Sequence, residues 1–289
     1  MEMKTAVMTD SNSGITQNEA RELGIFSLPI PVIIDGETCY EGIDLTQEMF
    51  YASLTGGKEV TTSQPSPGEV IGMWDKILKE GYDEIVHIPM SSGLSNSYES
   101  AAGLAADYNG RIQVADNHRI SVTLRESVLE AKELADRGLS AGEIKEELER
   151  RAYESSIYIT VDTLEFLKKG GRITPTAAAL GAVLNIKPVL TIQGERLDAF
   201  AKVRGMKKGK HKMLEAVRHD LDTRFQNTEM SRIVIGAAGS GLDENEEREW
   251  TDMLKEAFPE ATVYYNPLSF SIGSHTGPGA LGTAISIRR

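Results

Sequence analysis

The sequence predicts an α/β protein, two α/β domains with a ligand cleft between them. Short β-branched runs alternate with stretches whose apolar residues recur at helical spacing, the pattern of strands interleaved with helices. The length of 289 residues corresponds to two domains or one large one, at roughly 100–200 residues per domain. A composition of 40% hydrophobic and 26% charged residues is that of an ordinary globular chain.

In chain order, strands are predicted at Thr5–Thr9, Ile30–Asp35, Glu84–Pro89, Ile112–Ala115, Ile157–Val161, Pro188–Gln193, Leu197–Lys202, Ile233–Ala237, Thr262–Tyr265 and Thr283–Ile287. Ser66-Pro67-Gly68-Glu69 opens a helix with a hydroxyl cap, proline at the first helical position and a glutamate placed to reach back. Behind it Val70, Ile71, Met73, Trp74, Ile77 and Leu78 form one apolar face. Ser140-Ala141-Gly142-Glu143 repeats the cap and glutamate, and the charged helix Gly142–Tyr153 closes a first unit. Ser155-Ser156-Ile157-Tyr158-Ile159 opens the second, so the domains are expected at 1–155 and 156–289, the last strand being free to pack across the boundary. Trp250, Met253, Leu254 and Ala257 face the core of that second unit. Without a Pro-rich linker the units pack directly, and the cleft between them is the expected ligand site.

Composition excludes several functions. Asp plus Glu number 43 against 31 Lys plus Arg, a net charge of −12, which argues against a nucleic-acid binder or a polybasic membrane-surface protein. One cysteine, Cys39, excludes disulfide frameworks and multi-cysteine metal sites. No apolar stretch approaches the roughly 20 residues that span a bilayer. Residues 1–10 lack the basic, apolar and small-residue succession of a signal peptide, so a cytoplasmic setting is expected. There is no zinc-protease, Walker or nucleophile-elbow motif, so no metal or cofactor is predicted. Gly277-Pro278-Gly279-Ala280-Leu281-Gly282 has dinucleotide-loop spacing, but too little chain follows it for the helix and acidic residue such a site needs.

Four hydroxyl-rich loops stand out: Thr9–Ser13, Thr61–Ser66, Ser91–Tyr98 and Ser271–Gly279. Each loop alone reads as helix capping, and Ser66 is only a cap. Together they read as an oxyanion receptor, because ligands of open α/β sheets sit beyond the carboxyl ends of strands and helix starts offer free N–H groups. That chemistry alone leaves phosphate and carboxylate both open. Among the histidines, His275 has the most functional surroundings, a Gly-rich loop before the last strand, and no second histidine stands at metal-ligand spacing. Lys168-Lys169-Gly170-Gly171-Arg172 suits either helix termination or a phosphate or acidic partner. Met206–Lys212 reads as a solvated helix start, and Ala177–Leu184 either packs tightly on a sheet or leaves room for an apolar ligand.

Thr9-Asp10-Ser11, Thr62-Ser63-Gln64-Pro65-Ser66, Ser91-Ser92-Gly93-Leu94-Ser95 before Tyr98, Leu164 with Leu167-Lys168-Lys169-Gly170-Gly171-Arg172-Ile173, Lys187-Pro188-Val189-Leu190 and Gly273-x-His275-x-Gly277-Pro278-Gly279 together resemble the DegV family, in the same order and end to end. The resemblance implies a two-domain α/β fold holding one long-chain fatty acid, similar to the binding subunits of bacterial fatty acid kinase. Such a subunit, itself no enzyme, presents the acyl carboxylate to a separate ATP-using subunit similar to dihydroxyacetone kinase, which makes an acyl phosphate. Carried over by position, Thr62 and Ser95 would meet the carboxyl group, with Ser92, Arg172 and His275 around it and Arg172 serving kinase docking as well. Two departures bear on acyl-chain choice and the partner surface: Asn96-Ser97 stands where the family has Gly-Thr, and Val114–Arg119 also differs.

The physics agrees with such a ligand. About 14 buried methylenes at roughly 0.8 kcal/mol each contribute about 11 kcal/mol before ordering costs, and hydroxyls offset the cost of burying the acid. Two other readings remain at this point: a Ser/His-dependent hydrolase or transferase using Asp10 and His275 on a small acyl or phosphate substrate, and a lipid-dependent regulator or carrier without a kinase.

Overall fold

In a computed structural model that describes residues 3–180 and 186–289, the apolar runs become the centres of two large sheets. The first half contains β1 (Thr5–Asp10), α1 (Gln17–Leu23), β2 (Phe26–Leu28), β3 (Pro31–Ile34), β4 (Glu37–Tyr40), α2 (Gln47–Thr55), β5 (Val60–Thr62), α3 (Pro67–Lys79), β6 (Glu84–Ile88), α4 (Ser97–Ala105), β7 (Ile112–Val114), α5 (Ser121–Asp136) and α6 (Ala141–Arg150). There follow β8 (Ser155–Thr160), α7 (Glu165–Gly170), α8 (Pro175–Ala178), β9 (Ile186–Ile192), β10 (Asp198–Arg204), α9 (Met206–Thr223), β11 (Ile233–Ser240), α10 (Glu244–Ala257), β12 (Thr262–Tyr265), α11 (Phe270–Thr276) and β13 (Ala280–Ile287).

The first sheet runs β2-β1-β6-β7, parallel throughout. Every residue of β1 is buried, as expected of a strand covered on both faces. Alternation divides it: Ala6 and Met8 pack with Trp74 and Ile77 of α3, whereas Val7 packs with Leu124 and Val128 of α5 and Ile144 of α6. Both predicted caps form. Ser66 and Ser140 each accept from the third helical N–H while Glu69 and Glu143 return a bond to the cap.

The second sheet runs β10-β9-β8-β13-β11-β12, antiparallel except for the β11–β12 pair. One face packs under α9 and α10 around Trp250. The other presents Ile159, Leu190, Ile192, Ala238 and Ala284 to Leu94, Ile120 and Val122 of the first half. The cavity described below lies within this apolar layer.

Several local expectations change. The short strands β2, β4 and β5 were not anticipated, and the strand expected at Ile30–Asp35 becomes β3, the centre of a separate antiparallel sheet β4-β3-β5. The charged helix stops at Arg150 rather than Tyr153. The start of α9 is not fully solvated, because Lys210 is buried with its ammonium 2.8 Å from Glu249. In the small apolar segment Ala177 packs into the core and Ala178 and Leu180 lie against it, while residues 181–185 lie outside the described residues.

Candidate functional site

Four of the five residues singled out from sequence meet at one cavity. Thr62, Ser95, Arg172 and His275 line it together with Gln64 and Thr276, and its remaining wall is largely apolar, with Ile157, Ile159, Ile192, Leu197 and Ala238 from the second half. The cleft holds about 870 Å³ of atom-free space, open solvent at its mouth included, of which about 90 Å³ admits the centre of a water molecule. Ser92 does not line it. With Asn96, Gly171 and Arg196 it lines an adjoining polar recess that shares Gln64, Ser95 and Arg172 with the cavity.

Each polar group is set by its backbone. Thr62 is the last residue of β5, held by pairing with Val32 of β3, rather than a loop residue. His275 belongs to the last turn of α11, not to a loop as its glycine neighbours suggest. Ser269 caps that helix and Gly277 stops it at φ 73°, pressed so closely on Phe166 that a Cβ there would lie 2.4 Å from the ring. The His275 Nε2 stands 2.9 Å from the Thr62 hydroxyl. Its Nδ1 edge faces Gly170, where a Cβ would come within 2.2 Å. Burial, with the Arg172 charge behind it, pushes the imidazole down to about 4, so at neutral pH the ring is uncharged.

The Ser91–Tyr98 segment leads into α4. Ser95 Oγ lies 2.9 Å from Ser97 Oγ and accepts from the Ser97 N–H at 3.2 Å. Asn96, at the N-cap, is exposed and makes no capping bond. The β9–β10 turn closes over this segment: Ser91 donates its hydroxyl to Gly194 O at 2.6 Å, and a Cβ at Gly93 would stand 2.7 Å from Glu195 Cα. Ser92 is held by its N–H, which donates to Asp116 at 3.3 Å.

Arg172 follows the left-handed Gly171 that ends α7. It donates to Leu94 O at 3.3 Å and to Gly170 O, and has no carboxylate partner among the described residues. Burial and the nearby Arg196 lower its pKa. A guanidinium so placed adds positive potential beside the hydroxyls, which favours an anionic group.

Asp10 is fully committed elsewhere. Its two oxygens accept the N–H groups of Asn12 at 2.8 Å and Met90 at 2.9 Å, and burial raises its carboxyl to about 6. No hydrogen bond joins it to His275 among the described residues, so the relay a Ser/His hydrolase needs is not assembled. Sequence reasoning missed Asn12, Ser121 and Ser271, which also line the cavity. Asn12 and Ser271 fall inside the hydroxyl-rich loops and were within reach of it. Ser121 sits in no motif.

No group of acidic, histidine or cysteine side chains suited to a metal ion occurs among the described residues, and none of their helices is long and apolar enough to cross a membrane. Residues 4–288 match the family model for DegV-family proteins. A DegV domain-containing protein of Deinococcus radiodurans is 33% identical over 284 residues, 98% of each chain. Among solved structures, a fatty-acid-binding DegV family protein from Thermus thermophilus superposes with a TM-score of 0.87 at 33% identity, over 99% of this chain and 100% of the other. DegV of Bacillus subtilis, described as a fatty acid binding protein, gives 0.85 at 28% identity over 99% and 100%. With the family model matched over residues 4–288, a relative of 33% identity and the fold in agreement, this chain belongs to the DegV family.

Proposed function

We propose that the protein binds one long-chain fatty acid in the cavity between its sheets and presents the carboxyl group to a separate ATP-dependent kinase subunit for acyl phosphate formation. The observation that carries the binding half is the gathering of Thr62, Ser95, His275 and Arg172 at an otherwise largely apolar cavity. The hydroxyls and the neutral imidazole supply hydrogen bonds to a buried acid, the guanidinium supplies charge, and the apolar wall takes the chain. The two fatty-acid-binding structures above support the same ligand class. The polar recess holding Ser92, Arg172 and Arg196 adjoins the carboxyl seat and gives a partner subunit a cationic approach.

Native mass spectrometry and lipid extraction of purified protein test the binding, and consistently empty protein would count against it. Thr62→Ala and Ser95→Ala are each expected to weaken fatty acid binding by about 1–3 kcal/mol, the cost of leaving a buried polar group unpaired. Unchanged affinity in both would remove the carboxyl seat from these residues. Presentation is tested by acyl phosphate formation from ATP with a dihydroxyacetone-kinase-like subunit added or omitted. Product requiring both proteins supports it, whereas binding without product in the mixture leaves a carrier or regulator.

A further inference from the structure

The start of α5 carries polar groups that the cavity leaves without partners. Its N-cap is Ile120, whose hydrocarbon side chain cannot accept a bond from the first turn. Its first residue, Ser121, is held at φ 55°, left-handed backbone that residues with side chains seldom adopt. Ser121 is only 8% exposed and lines the cavity between Ile120 and Val122, yet its hydroxyl makes no hydrogen bond with the described residues. A sixteen-residue helix without a side-chain cap thus begins at the cavity wall, and the unpartnered Ser121 hydroxyl there is disfavoured unless a hydrogen-bonding group arrives.

Two neighbouring polar residues do not explain it. Asn12 is satisfied within the protein, its carboxamide contacting Met90 Sδ at 3.3 Å and accepting from Ser269 at 2.7 Å. Ser271 is also buried and unpartnered among the described residues, but it stands one helical turn before His275 and falls with the carboxyl seat. Ser121 comes from another element, flanked by members of the apolar cluster that includes Ile159, Ile192 and Ala284.

We propose that the cavity selects acyl chains bearing an oxygen substituent, a hydroxyl or keto group, which Ser121 and the first turn of α5 bind. This rests on the fatty acid reading above and makes it narrower: the carboxyl group occupies its own seat, and a second hydrogen bond forms on the apolar wall. An unsubstituted chain leaves the Ser121 hydroxyl and the helix start facing methylenes.

The test compares stearic acid with a panel of hydroxystearic acids whose hydroxyl steps along the chain, and with the matching keto acids, by competition binding to the full chain. At least one isomer is expected to bind roughly three- to tenfold tighter than stearic acid, the range of one added hydrogen bond. Ser121→Gly removes the hydroxyl while accepting the left-handed backbone, and Ser121→Ala serves as a second hydroxyl-free variant. In both, the ratio of substituted-acid to stearic acid affinity should fall towards one. The proposal is overturned if no isomer exceeds stearic acid, if the preference survives in both variants, or if they weaken every acid equally, which would place Ser121 at the carboxyl group. Failure of every acid to bind the wild-type protein would instead strike the fatty acid reading itself.

Discussion

Replacing Gly170 with alanine probes the carboxyl seat from behind. Gly170 does not have positive φ, so alanine suits its backbone, and within a helix it is favoured over glycine by up to about 1 kcal/mol. The added methyl would nevertheless meet the His275 Nδ1 at 2.2 Å, well inside the 3.0 Å below which a neighbour must move. The imidazole has to shift by about 0.8 Å or more, which disturbs the geometry of its 2.9 Å contact with Thr62. An unpaired buried polar group costs about 1–3 kcal/mol, so fatty acid affinity should fall by roughly 5- to 150-fold while the fold persists. Calorimetry reads the affinity and histidine proton NMR reads the ring. Burial holds His275 at about 4 in the wild type, and since the added methyl leaves the ring buried its titration should stay low while its proton resonances move with the displaced imidazole. Unchanged affinity together with unchanged ring resonances would refute the packing argument.

Two further perturbations follow from burial and capping. Glu41 has one hydrogen bond, from the Phe270 N–H at 2.9 Å, and burial raises its carboxyl to about 7. A raised acid contributes its full stability below its unfolded pKa and loses it as pH rises through 7, so Glu41→Gln should gain about 1–3 kcal/mol relative to wild type at pH 8 compared with pH 4. Parallel denaturation profiles for the two proteins at both pH values would contradict this. At the capping box, Ser66→Ala should destabilise by about 1 kcal/mol with fatty acid affinity unchanged, read by urea midpoint and calorimetry.

The legible parts of the chain are those where local chemistry and tertiary structure agree. Ser66 and Ser140 announce their helices because caps act within three residues, and β1 and β11 announce themselves by the apolar centres that burial on both faces demands. The strands β2, β4 and β5 are three or four residues long and owe their state to partners, as when Thr62 is drawn into β5 by Val32. His275 was recognised as a site residue but placed in a loop, since its flanking glycines mask a helix capped from Ser269 and halted by the close approach of Phe166 to Gly277. The hydroxyl-rich segments do come together at the cavity, but Ser121 carries no sequence signal, because nothing local foretells its backbone angle.

The proposed carboxyl seat is drawn from both halves of the polypeptide: Thr62 and Ser95 precede the second sheet, while Arg172 and His275 arrive with it. On that proposal, a nascent chain gains the complete seat only once position 275 has been synthesised. On the proposed function, lipid uptake would follow synthesis of both halves, and a seated acid should raise the temperature at which they separate.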